Sequence, residues 1–249
     1  MQFKTILYEK RDRIAYFTLN RPERLNAFNS QMREDLSAAF IDFDEDPEVW
    51  LGIVSGSGRC FSAGGDMKDR HKPTSPRIDY HFDHPANWKP MIAAIHSHCA
   101  GWGLNVAIDC DLLVATEDAS FFAPEAKVGI PEGTLWARLW FWIGSKRATE
   151  MAITGDPMTG EEAYRRGLVS RLVEKQEELL PAAEALARRI LENPPMGVRT
   201  TIQASRRAVQ HVNRDAEILF ENSRWREWED YKEAVEAFKE KRKPVYKGR

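Results

Sequence analysis

The stretch Pro90-Met-Ile-Ala-Ala-Ile-His-Ser-His-Cys-Ala-Gly-Trp-Gly-Leu-Asn-Val-Ala-Ile-Asp-Cys-Asp-Leu-Leu-Val-Ala-Thr116 decides the fold. Its opening, Pro90 to His96, reads as a buried apolar strand. Gly101-Trp102-Gly103 then starts a helix that runs to about Cys110, and Leu112 to Thr116 forms the next strand. Strand, glycine turn, helix and strand in succession predict α/β architecture.

The same grammar extends outward in both directions. Residues 3–9 and 13–19 alternate as two short strands, with Glu9 to Asp12 turning between them. Asn20-Arg21-Pro22-Glu23 is a turn. Asn29 to Asp44 carries a helical stripe of Met32, Leu36, Phe40 and Phe43. Trp50 to Ser55 is a buried strand ending in Gly56-Ser57-Gly58. Phe61-Ser-Ala-Gly-Gly-Asp66 is a second small-residue turn, with a helix expected to start at Met67. Residues 70–88 are polar, contain Pro73, Pro76 and Pro85, and read as a mobile surface segment. On the C-terminal side, Ser120 to Phe122 is a short strand. Helices are expected over 134–153, 160–166, 177–192, 196–212 and 214–240. The last three form a charged helical module, so the chain divides into a core at 1–190 and a C-terminal part at 191–249.

Composition narrows the function. With 36 Lys and Arg against 38 Asp and Glu, the net charge is −2, too weakly balanced for a dedicated nucleic-acid binder. The chain is 43% hydrophobic and 30% charged, as ordinary globular proteins are. Cys60, Cys99 and Cys110 lack metal-site spacing, so neither a disulfide framework nor a metal centre is expected. The N-terminus meets charge at once and no run is long enough to span a membrane, which together predict a cytoplasmic protein.

Two glycine turns carry the chemistry, Ala63-Gly64-Gly65-Asp66 and Ala100-Gly101-Trp102-Gly103. Turns ahead of helices leave backbone N–H groups unpaired and able to face a developing negative charge. No nucleophile motif, phosphate loop or zinc-type histidine pair competes with them.

In order along the chain, several further motifs surround these turns: Asn20-Arg21-Pro22-Glu23 with Asn26-Ala27 and Met32, Pro124-Glu125-Ala126-Lys127-Val128-Gly129-Ile130-Pro131, Thr154-Gly155, Gly167-Leu168-Val169 and the Lys241-Arg242-Lys243-Pro244 tail. Together they resemble the enoyl-CoA hydratase/isomerase (crotonase) superfamily over nearly the whole chain. The resemblance implies a crotonase-like spiral of repeated ββα units with C-terminal helices that trimerise, giving a homotrimer or hexamer. It implies an acyl-CoA substrate and no separate cofactor, because coenzyme A is part of that substrate. The thioester oxygen would sit on the N–H groups of Gly65 and Trp102, with Glu125 as the base and Arg24, Ala27, Ala63, Asp66 and Met67 at the coenzyme A. Trp102 stands where the family usually has glycine, which keeps the N–H and changes the acyl pocket.

Where family hydratases carry a second glutamate, this chain has Asn105, which cannot act as a base at neutral pH. Isomerisation by a single base is therefore favoured over hydration. Hydroxycinnamoyl-CoA hydratase-lyase, thioester hydrolase and a non-catalytic RNA-binding member stay as alternatives. Glu132 is a candidate second carboxylate, or an exposed turn residue. His71, His81 and His84 read as solvated loop residues, and His96 and His98 as buried at a strand end. Trp136, Trp140 and Trp142 are expected in the core. Lys241, Arg242 and Lys243 offer either a phosphate contact or a solvated helix end.

Overall fold

A computed structural model describes residues 2–69, 88–131 and 133–248. The first two strands, β1 (Ile6–Arg11) and β2 (Ile14–Leu19), pair antiparallel from Ile6 opposite Leu19 to Arg11 opposite Ile14. The turn is tighter than the sequence indicated. It consists of Asp12 and Arg13 alone, with φ of 51° and 66°. Positive φ at both central residues is the hairpin geometry that follows the right-handed strand twist. The guanidinium of Arg13 then rests 4.1 Å from the ring centre of Trp50.

From β2 the sheet grows in parallel. β3 (Leu51–Gly56), β4 (Met91–Ile95), β6 (Leu112–Thr116) and β9 (Arg171–Val173) give the order β1-β2-β3-β4-β6-β9. Strands covered on both faces need apolar residues at nearly every position. β4, Met-Ile-Ala-Ala-Ile, is buried throughout. Helix α1 (Ser30–Glu45) covers one face, where Phe17 meets Phe40 at 4.7 Å and Phe43 edge-on at 5.6 Å between ring centres. The start of α1 is fixed by Asn29, whose side chain accepts the Met32 N–H at 2.9 Å. Helix α6 (Gln176–Leu191) covers the opposite face through Leu179, Ala183 and Ala187, packed with Tyr16, Ile53 and Ile92. Three short strands, β5 (His98–Ala100), β7 (Ser120–Phe122) and β8 (Met158–Thr159), make a second sheet in the order β5-β7-β8. Helices α2 (Trp102–Asp109) and α5 (Gly160–Arg166) complete this part of the chain.

By contact the chain groups into two compact units. One holds Met1–Phe121 with Thr159–Arg207, the other Phe122–Met158 with Ala208–Arg249. In the second unit, the helix expected over 134–153 is two, α3 (Gly133–Ile143) and α4 (Ser145–Thr154). Gly144, at φ 79° and ψ 151°, leaves helical space and breaks the run. The C-terminal helices also divide elsewhere than expected. α7 (Pro195–Asn222) runs unbroken through residue 213, and the break comes at Arg224, in left-handed conformation, before α8 (Glu229–Glu240). Trp140 and Trp142 are 38% and 37% exposed and Trp136 is half-buried, so the indoles of α3 are not the core residues their spacing indicated. The tail folds back on α8. Arg242 forks onto Glu233 and holds that carboxyl down at about 2, while Asp230 accepts the N–H groups of Lys247 and Gly248.

A largely buried ion pair, its side chains 12% and 7% exposed, ties α7 to the sheet within the first unit. Arg206 donates to both carboxylate oxygens of Asp111, at 2.9 and 2.6 Å, and to the Lys89 carbonyl at 3.0 Å. Asp111 also accepts the Met91 N–H at the start of β4. Removing one partner of such a pair leaves an uncompensated buried charge. Arg206→Ala is expected to lower stability by about 3–5 kcal/mol, read as a urea midpoint shift at unchanged slope.

Candidate active site

The first glycine turn is built from its neighbours inward. Asn26 is completely buried. Its side-chain oxygen accepts the Arg21 N–H at 2.9 Å, and its amide donates to the carbonyls of Ser57 and Cys60 at 2.8 and 2.9 Å. Ser62, also completely buried, donates its hydroxyl to the Asn26 carbonyl at 2.8 Å and accepts the Gly64 N–H at 3.1 Å. Arg21 reaches Asp66 at 3.2 Å and the carbonyl of Ala27. Arg21 of the Asn-Arg-Pro-Glu turn thus braces the loop at 62–66 at its Asp66 end, and Asn26 holds it at Ser62.

The two glycine turns are also joined to one another. Ser62 pairs with Cys99 in a parallel bridge, its N–H donating to His98 O at 2.9 Å while Ala100 N–H returns to Ser62 O at 3.0 Å. Glycine is required at the contact. A Cβ on Gly103 would lie 2.6 Å from the Ser62 Cβ. One on Gly64, at φ +98°, would lie 3.1 Å from Ala100 O. Gly101, with φ 46° and ψ −116°, turns the chain into α2 through a conformation that side chains disfavour. His96 sits behind the turns with its Nε2 3.0 Å from Gly58 O, and burial pushes its pKa down. His98, by contrast, is exposed, against the expectation that both would be buried.

The backbone donors on either side of Gly65 are taken. Ala63 N–H goes to Leu25 O, Gly64 N–H to Ser62 Oγ and Asp66 N–H to Phe28 O. In the bridge between Phe28 and Gly65 the bonds use Gly64 O and Asp66 N, so the N–H of Gly65 faces away from Phe28. Trp102 is the first residue of α2, where the N–H has no partner in its own helix. Among the described residues, the N–H groups of Gly65 and Trp102 carry no hydrogen bond, on turns that the Ser62–Cys99 bridge holds side by side. Asn105, one turn into α2, directs its amide back to the Gly101 carbonyl at 3.3 Å.

Met67 to Asp69 form a turn in place of the expected helix start. Asp69 accepts the Ser30 N–H at 2.6 Å, so the chain here is tied to the start of α1. Of the other residues expected at the coenzyme A, Arg24 and Ala63 are exposed, Ala27 and Met67 are half-buried, and Asp66 is engaged by Arg21. Glu132, His71, His81 and His84 lie outside the described residues.

Glu125 belongs to the second unit. It follows Pro124 in a short 3-10 helix, Pro124–Val128, and is 5% exposed. Proline suits the first position of such a turn because it has no N–H to satisfy. Ile130 N–H closes on the Glu125 carbonyl at 3.0 Å. Ile130 packs with Trp225, Tyr231 and Val235, and a Cβ on Gly129 would lie 3.1 Å from the Tyr231 Cα. Tyr246 donates to Lys127 O at 3.0 Å. The glutamate therefore stands on a segment held by α8 and the tail.

Four arginines on α5, α6 and α7 are committed to carboxylates. Arg165, Arg166, Arg188 and Arg206 face Glu161, Glu162, Glu184 and Asp111 at 3.3, 2.7, 3.3 and 2.6 Å. Among the described residues no group of three or more His, Cys, Asp or Glu is disposed to hold a metal, and no helix is long and apolar enough to cross a membrane.

Comparison with known proteins identifies the family. The chain is 35% identical to a probable enoyl-CoA hydratase from Mycobacterium bovis, over 99% of both chains. It is 34% identical to (E)-benzylidenesuccinyl-CoA hydratase from Thauera aromatica, over 98% of this chain and 99% of that one. Among solved structures it superposes on carnitinyl-CoA hydratase from Mycobacterium avium with a TM-score of 0.85 and 32% identity, covering 100% of each chain. The family model for enoyl-CoA hydratase/isomerase matches residues 9–249, and the chain belongs to that family of enzymes.

Proposed function

We propose that the protein binds an acyl-CoA thioester with its carbonyl oxygen on the N–H groups of Gly65 and Trp102, and that Glu125 moves the proton. The observation that carries this reading is the pair of unpartnered N–H groups on two interlocked turns. Negative charge on the thioester oxygen is stabilised by donors already in place, so the α and γ hydrogens of the acyl chain become acidic enough for a carboxylate. The buried Glu125 is the family-matched carboxylate for that transfer. Coenzyme A enters as part of the substrate, with Arg24 offered to its phosphates and Ala27, Ala63, Asp66 and Met67 beside it.

Two acyl-CoA reactions compete for this site. The curated relatives are named as hydratases, which favours water addition to an enoyl-CoA. Asn105 favours proton transfer without water, since its amide is directed to the Gly101 carbonyl and holds no ionisable group. Adding water requires removing a proton from water and giving one to carbon, which two carboxylates do more readily than one. Isomerisation is the reading we carry, with hydration as the second. A panel of short, long and aromatic enoyl-CoA thioesters, with the double bond at C2 or C3, separates them. Asn105→Glu is expected to raise hydration relative to isomerisation on that panel. Rapid hydration of crotonyl-CoA by the wild type, with no turnover of 3-enoyl-CoA, would contradict the isomerase reading.

We further propose a homotrimer, or a hexamer of two trimers, acting in the cytoplasm. The support is apolar surface in the second unit, where Ile218, Leu219 and Phe238 are 48%, 72% and 57% exposed. Such a surface is covered in stable assemblies. Light scattering at micromolar concentration is expected to give three or six times the 28.6 kDa chain mass, and a stable monomer would contradict it.

A further inference from the structure

The Trp102 indole has a defined seat. It lies nearly parallel to the Phe28 ring, with centres 6.4 Å apart and planes 27° from one another. The Arg33 guanidinium sits over it, 5.5 Å from the ring centre. Arg33 comes from α1, and its Nε is buried without a hydrogen-bond partner, so the indole is the contact its geometry provides. Phe28 is the bridge partner of Gly65. Its N–H donates to Gly64 O at 2.8 Å and its carbonyl accepts Asp66 N–H at 2.9 Å. Two residues on, Ser30 N–H donates to Asp69. The segment from Phe28 to Ser30 therefore moves with the first glycine turn, while the indole moves with the second.

We infer that the Phe28–Trp102–Arg33 stack is a clamp that sets the separation of the two oxyanion donors. The inference rests on the oxyanion reading above. One strut between the turns is backbone, from Ser62 to Cys99. The stack is a second strut, closing the path from Gly65 through Phe28 to Trp102. A glycine at 102 has the same N–H and lacks this strut. Donor placement matters steeply, since a misplacement of about 1 Å costs on the order of 10²-fold in rate. Trp102 thus acts twice. Its backbone donates to the substrate, and its side chain positions that donor.

The test separates clamp from donor. Bound 4-dimethylaminocinnamoyl-CoA is a push–pull thioester whose absorption moves to the red when its carbonyl is polarised, and isomerisation of a 3-enoyl-CoA gives kcat and KM alongside it. Trp102→Gly and Phe28→Ala are each expected to reduce the red shift and lower kcat by about 10- to 10²-fold, with KM within a few fold. Trp102→Phe restores both readouts. Trp102→Leu, which fills space without stacking, does not. The Trp102→Gly/Phe28→Ala double variant loses no more than either single one, because both remove the same contact. Thermal melts identify any variant that fails to fold, and Arg33→Met supplies a milder perturbation of the same stack. If the shift and kcat stay at wild-type values in the Trp102, Phe28 and Arg33 variants while Gly65→Pro loses both, the clamp is overturned and the oxyanion hole stands. If Gly65→Pro keeps both, the oxyanion reading itself fails, and the clamp with it.

Discussion

Glu125→Gln is expected to lower turnover by about 10²–10⁴-fold, the range that a positioned general base contributes. The amide has the shape of the carboxylate and cannot accept the proton at neutral pH. The side chain is 5% exposed and stands on a segment braced by α8, so the backbone has no reason to move on this change. Binding of a CoA ester should stay within a few fold, since that affinity comes from other residues. Stopped-flow turnover and calorimetric binding on the same preparation check both halves. Full turnover in the variant would remove Glu125 from the chemistry.

The second large effect is at Gly65. Proline there deletes the N–H and leaves the Phe28 bridge intact, because the bridge uses Gly64 O and Asp66 N. Gly65 is not among the residues with positive φ, so the fixed φ of proline does not conflict with a left-handed turn. Loss of one oxyanion donor costs about 10²–10³ in kcat. The effect should fall on kcat more than on KM, since the donor matters most where charge has developed. Wild-type kcat in Gly65→Pro would contradict the donor assignment.

The parts of the fold legible in the sequence are those written in local patterns. Pro90 to Thr116 shows its strand, turn, helix and strand because apolar period and glycine placement coincide there. Boundaries that depend on one residue's conformation were not visible. Gly144 interrupts a continuous helical pattern, and Arg224 stops α7 where the periodicity carries on. The turn at Met67 likewise follows from a tertiary bond, Asp69 to the Ser30 N–H, that no local pattern records.

At the site, the two turns were legible as motifs, and what holds them was not. Ser62 reads as one small residue among several, yet its hydroxyl links Asn26 to Gly64 and its backbone links the first turn to the second. The Asp66 carboxylate is held by Arg21 from the N-terminal turn, a tie between segments far apart in the chain. A polar residue within a motif, buried completely like Asn26 and Ser62, is the signal that could have marked these supports. From the motif alone the Trp102 side chain reads as extra bulk. Its seat on Phe28 depends on two segments far apart in the chain.

On this mechanism these residues generate a thioester enolate and protonate it through Glu125. Its most direct test is deuterium uptake from D2O at the carbon beside the thioester carbonyl, followed by NMR on butyryl-, hexanoyl- and 3-phenylpropanoyl-CoA. Saturated esters undergo neither hydration nor isomerisation, so exchange reports the enolate alone. The wild-type enzyme is expected to exchange at least one of these esters, with loss of about 10²-fold or more in Glu125→Gln while the ester still binds. Binding without exchange in the wild type, or equal exchange in Glu125→Gln, would contradict it.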